Sequence, residues 1–166
     1  SLKLVGNAKT FPLIGQFYPD LVTEDRTITV KEGETLALGA HTLQFFSAPM
    51  VHWPEVMVTY EQSEKILFSA DAFGSFGALD GILFADEINF ERDWLPDYRR
   101  YYSNIVGKYG VQVQNALKKL SGLDIQVICP LHGPVWRRDL DVLLGKYDTW
   151  SRYAPEEKAV ALFYGS

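Results

Sequence analysis

Three side chains in this sequence, His52, Asp71 and His132, have donor atoms that suit a metal ion. Each follows a segment that reads as a β-strand. His52 lies in PMVHWP, Asp71 comes directly after an apolar run in FSADAFGSFGALDG, and His132 stands in the loop after DIQVICP. Loops past strand ends are where sites gather on a rigid sheet. Neutral imidazole nitrogens and a carboxylate hold zinc or non-haem iron, and a carboxylate can place one oxygen on each of two cations about 3.5–4 Å apart. Each residue also has a plain reading. His52 can pack beside the indole of Trp53 with a backbone carbonyl as partner, Asp71 can close an Asx-type turn, and His132 before Gly133-Pro134 can be a turn residue. His41 alternates with Leu43 and Phe45 in a strand and is assigned a structural role outside the site.

Other chemistries lack their residues. Gly74, Gly77 and Gly81 do not form G-x-G-x-x-G, and no Lys-Ser/Thr pair follows them, which argues against a phosphate cradle. They read as turn-makers that bring the loop after Asp71 close to the site. There is no G-x-S-x-G elbow, and Cys129 precedes Pro130 at the end of an apolar strand, so serine and cysteine nucleophiles are unsupported.

The elements that must position these residues change character along the chain. The first 26 residues read as loop and short strand, with Pro12, Gly15 and Pro19 opposing any long element. TITV (27–30) and the run 35–38, separated by Lys31-Glu32-Gly33-Glu34, read as a hairpin. HTLQFF (41–46), VMVTY (56–60) and KILFS (65–69) continue a β-rich, antiparallel first half. From Asp97 the spacing of Tyr98, Tyr101, Tyr102 and Ile105 predicts a helix, and Val113, Ala116, Leu117 and Leu120 predict a second that ends at Ser121-Gly122. A short strand (124–130) follows. Asp139 is expected to cap a helix carrying Leu140, Leu143, Leu144 and Tyr147. The segment 153–158 reads as a linker, and AVALFYGS as a strand buried on both faces.

Composition bounds the classes. With 166 residues, 47% hydrophobic and 22% charged, the chain suits one domain with a sizeable core. A net charge of -5 without a Lys/Arg cluster argues against nucleic acid or an anionic membrane as partner. A single cysteine, no signal peptide and no spanning apolar run lead to a cytoplasmic expectation.

Read together, SAPMVHWPEVMVTYEQSEKILFSADAFGSFGAL, FADEINFERDWLPDYRRYYSNIVGKYG and ICPLHGPVWR resemble the latter part of the metallo-β-lactamase-like domain of the A-type flavoproteins, the flavodiiron proteins. The fold this implies is α/β (α+β): a partial αββα sandwich, with a β-rich first half followed by helices. The resemblance assigns residues 1–157 to that domain and 158–166 to the first strand of a truncated flavodoxin-like domain, with Ser166 at the first hydroxyl of an FMN phosphate loop. It makes His52, Asp71 and His132 the last three ligand positions of a di-iron centre, with Asp71 shared by both irons. The parent protein would be an oxidoreductase that reduces O2 to water or NO to N2O. It would be fed by FMN across a head-to-tail homodimer and by a rubredoxin-like or other electron donor. Trp53, Phe73 and Phe76 are candidate walls of a dry pocket, with core packing as their alternative.

One departure bears on metal. The family's upstream motif His-x-Glu-x-Asp-His is absent, since the only histidines are at 41, 52 and 132. Two histidines and one carboxylate can hold a single cation with water in the open positions but leave two under-liganded, so this chain alone is expected to bind iron weakly or not at all and to be inactive. Two other readings stand: a zinc-dependent hydrolase on the same fold, and a catalytically silent packing domain.

Overall fold

The first thirty residues build a small module beside the main sheet. β1 (Leu4–Gly6) and β2 (Thr27–Thr29) pair in parallel, with α1 (Thr10–Phe17) between them in sequence. The structure, a computed structural model, describes residues 2–156. α1 forms across Pro12 and Gly15, where the sequence reads as loop and short strand without a long element. Pro12 falls in the first turn, where a backbone N–H has no intrahelical acceptor and its absence costs little.

The expected hairpin between 27–30 and 35–38 does not form. Lys31–Glu34 is a turn, closed by the Glu34 N–H to the Lys31 carbonyl (3.1 Å) and by the Lys31 N–H to the Glu34 carboxylate (2.9 Å). The chain beyond it is committed elsewhere. Gly33 and Glu34 exchange backbone bonds with Phe45, extending the ladder between β3 (Thr35–Leu38) and β4 (His41–Ser47), while β2 stays with β1. Turn chemistry was legible; the strand's partner was a tertiary outcome.

The main sheet has the order β3-β4-β5-β6-β7, with β5 at Met57–Glu61, β6 at Ile66–Phe68 and β7 at Val127–Cys129. Its first three junctions are antiparallel, as expected, and β6-β7 is parallel. β4, β6 and β7 therefore all end at the same edge. One face carries the row Tyr60, Leu67 and Ile128, which packs with Tyr98, Tyr102, Val113, Leu120, Leu143 and Tyr147 from the helices. Burying a residue such as Leu67 completely is worth about 1.5–3 kcal/mol. On the opposite face the row Thr59, Phe68, Cys129 is less covered, and Phe68 is 46% exposed.

Three helices supply the covering layer: α2 (Leu95–Ile105), α3 (Gly110–Leu120) and α4 (Leu140–Ser151). α2 buries Leu95, Tyr98, Tyr101 and Tyr102, the face that the tyrosine spacing predicts. α4 begins after Asp139, but Asp139 makes no side-chain cap. Its left-handed backbone (φ 53°) departs from the extended conformation from which a carboxylate reaches the first helical N–H groups. The described part of the expected linker, 153–156, follows α4 without regular structure and contacts the domain. Tyr153 Oη accepts the Gly110 N–H at 3.2 Å, and Glu156 pairs with Arg99 and Lys146. Residues 158–166, with the expected flavodoxin-like strand and Ser166, lie outside the described residues. Among the described residues no helix is long and apolar enough to cross a membrane.

Candidate metal centre

Strand direction explains why the three predicted residues meet. Phe68 of β6 and Cys129 of β7 are register partners in a parallel pair, and Asp71 and His132 each stand three residues further on. β4 runs the same way two strands over and delivers His52 from the loop 48–56. His52 Nε2 lies 3.4 Å from Asp71 Oδ2, and His132 Nε2 lies 3.3 Å from Asp71 Oδ1. Each carboxylate oxygen thus faces its own imidazole. The Asp71 side chain is 15% exposed, against 29% for His52 and 57% for His132.

These separations exceed the ~2.7–2.9 Å of a charge-assisted hydrogen bond. They match two donors sharing a cation: with metal–donor distances near 2.1 Å and a roughly tetrahedral angle, nitrogen and oxygen stand about 3.4 Å apart. Each separation leaves room for a cation between an imidazole and its carboxylate oxygen. Among the described residues no three His, Cys, Asp or Glu donors converge on one point.

The loops that carry His52 and Asp71 are unusual in their backbone. Met50 (φ 65°), Ala70 (φ 54°) and Phe73 (φ 66°) adopt left-handed conformations within two residues of His52 or Asp71. Such conformations persist where surrounding contacts enforce them, and they concentrate at functional sites. Around Asp71 the enforcing contacts are visible. The Ser69 N–H donates to the Cys129 carbonyl (3.1 Å), Leu131 N–H to Ala70 (2.8 Å), and Ser75 N–H to the His132 carbonyl (3.2 Å). Gly133 (φ +84°) packs so closely on Ser75 that a Cβ would lie 3.0 Å from the Ser75 Cβ.

α2 adds a further support. Tyr101 Oη donates to the Asp71 carbonyl at 3.1 Å, and its ring lies 5.9 Å from that of His132. Burial, then the nearby Asp71 charge, push the Tyr101 phenol well above its ordinary value, so it stays a donor. Gly74 lies against this ring, where a Cβ would meet it at 2.9 Å. The sequence marked Tyr101 only as one of three tyrosines on a helix face. Nothing in the spacing separated the one that reaches Asp71 from Tyr98, whose hydroxyl accepts from Trp136 Nε1.

The other expectations sort as follows. His41 lies apart from the site, its Nδ1 3.2 Å from Glu61 Oε1, in keeping with a structural role. Of the three candidate pocket aromatics, Phe73 is a core residue packed 4.7 Å from Tyr147. Phe76 packs on Tyr101, while Trp53 is 56% exposed beside His52. Burial raises the Cys129 thiol above its usual range, which disfavours the thiolate a nucleophile needs.

The profile of the ODP family beta lactamase matches residues 2–133. The chain is 36% identical over 140 residues to the anaerobic nitric oxide reductase flavorubredoxin of Aeromonas hydrophila, an alignment that covers 82% of this chain and 28% of that protein. Among solved structures, a point mutant of the flavo di-iron protein from Thermotoga maritima superposes with a TM-score of 0.84 at 28% identity, over 95% of this chain and 38% of that one. Rubredoxin oxygen:oxidoreductase from Desulfovibrio gigas superposes with a TM-score of 0.81 at 30% identity, over 90% and 37%. The chain spans about a quarter to a third of the length of the curated relatives it matches.

Proposed function

The chain belongs to the ODP family of beta-lactamase-like domains found in the A-type flavoproteins, and from that membership we propose that the intact protein is a flavodiiron oxidoreductase reducing O2, NO or both. Relatives with oxygen and nitric oxide in their names motivate the two substrates. In this reading residues 1–157 are the latter part of the metal domain and 158–166 open a flavodoxin-like domain. FMN serves that domain, a rubredoxin-like protein donates electrons, and the working unit is a homodimer. The observation that carries the proposal is the division of Asp71, one oxygen toward His52 and the other toward His132.

Two irons held there would supply the electrons for reduction, recharged through FMN. The chain's own residues fix the geometry. Asp71, His52 and His132 would hold the irons, and each imidazole turns its Nε2 toward a different Asp71 oxygen. Tyr101 holds the Asp71 backbone by its carbonyl, which restrains the carboxylate that follows from it. The remaining ligands of each iron come from outside this chain, since one imidazole and half a carboxylate per cation are too few for tight binding.

Metal analysis by mass spectrometry together with an optical spectrum of the intact protein tests this. About two irons per chain with flavin absorbance is the expected result. Zinc without flavin would replace it with the hydrolase reading, and neither metal nor flavin with a silent packing domain.

A further inference from the structure

The two histidine loops are anchored differently, and the difference isolates one residue. Among the described residues, the backbone of the His52 loop bonds mainly within itself: Val51 N–H to Ala48 (3.1 Å), Met50 N–H to Trp53 (2.8 Å), and Val56 N–H to Trp53 (3.3 Å). Among the described residues one hydrogen bond leaves the loop 48–56. Asn7 Nδ2 donates to the Glu55 carbonyl at 2.7 Å, across 48 positions of sequence. The other end of the same carboxamide accepts the Lys9 N–H at 2.9 Å, and the Asn7 carbonyl accepts the Thr10 N–H at 3.0 Å at the start of α1. One partner is a donor and the other an acceptor, so the carboxamide has a single productive orientation. Its base is fixed as well, because Gly6 ends β1 and accepts the Val30 N–H at 2.9 Å.

We propose that Asn7 is a positioning residue for the metal centre, holding the His52 loop against the β1–α1 module so that His52 Nε2 faces its Asp71 oxygen. This rests on the ligand reading of His52 given above. An asparagine at this turn would also serve if its only task were to start α1 through an Asx-type turn. Aspartate separates the two roles: Asn7→Asp keeps the oxygen that accepts from Lys9 and loses the donor to Glu55.

The test is made on the intact protein with cobalt(II) as the metal. Binding is followed by titration and by the cobalt absorption spectrum, and amide hydrogen exchange is measured across the loop. Asn7→Asp is expected to weaken one of two binding steps by about tenfold, the effect typical of lost outer support for a ligand. The second step should hold, and exchange should quicken at 49–56 while β5 and β6 stay protected. Asn7→Ala should give the same metal defect plus faster exchange in α1. Unchanged cobalt binding in Asn7→Asp, with His52→Ala losing one step, overturns the proposal and leaves the ligand reading intact. If His52→Ala binds cobalt as the unaltered protein does, the ligand reading falls and the role of Asn7 falls with it.

Discussion

His132 sits in a loop stitched to the Asp71 loop by backbone hydrogen bonds, whereas His52 sits in a loop whose bonds are almost all its own. On the His132 side, Leu131 donates to Ala70 and Ser75 to His132, and Val135 joins Leu83 and Ala85 across a short bridge. Arg137 then reaches Asp86 through two guanidinium nitrogens at 3.0 and 3.1 Å. On the His52 side one side-chain bond, from Asn7, leaves the loop. Parallel pairing of β6 and β7 produces this asymmetry: neighbouring parallel strands carry their exit loops side by side, while β4 is separated from β6 by β5. Two imidazoles that face one carboxylate can thus differ widely in how their backbone is held.

The comparison breaks most completely at Asp71, the group common to both sides. Asp71→Ala should abolish both metal-binding steps in the intact protein, while His52→Ala and His132→Ala should each remove one, as read by metal content after dialysis. A smaller effect, confined to the stitched side, is expected from Gly133→Ala. The alanine would hold a left-handed φ of +84° with its Cβ 3.0 Å from Ser75, a cost on the order of 1–3 kcal/mol measurable by urea denaturation. Hydrogen exchange at 49–56 should not change in that variant.

Acid sharpens the contrast further. The hydrogen bond from Arg137 outweighs the opposing effect of burial and holds the Asp86 carboxyl below its ordinary value of 3.8, so its ionised form is favoured by folding. A depressed folded pKa contributes stability that is present above the unfolded value and lost as pH falls through the folded one. As pH drops below about 3.8 the clamp beside the His132 loop should therefore weaken, while the hydrogen bond from the Asn7 carboxamide to the Glu55 carbonyl does not titrate. Asp86→Asn should show a shallower loss of stability over that range, checked by denaturation midpoints at successive pH values.

Much of the site was legible because ligand chemistry is local. An imidazole or carboxylate just past an apolar strand can be read from a few residues, and the structure brings together the three singled out that way, His52, Asp71 and His132. The strands β4 to β7 and the helices α2 to α4 were equally visible in their periodicities. What escaped were the partnerships. No pattern in residues 27–38 tells β2 to pair with β1 and β3 with β4, because both partner strands lie outside that stretch. Asn7 and Tyr101 act on residues 48 and 30 positions away, which a linear reading cannot connect. Asp139 had the right side chain for a cap and the wrong backbone for it.

The shared carboxylate is tested most directly by anomalous diffraction at the iron edge from crystals of the iron-loaded intact protein. Two peaks are expected, one beside each imidazole, with Oδ2 of Asp71 on the His52 side and Oδ1 on the His132 side. A single peak, or two peaks with Asp71 bound to neither, would contradict the assignment.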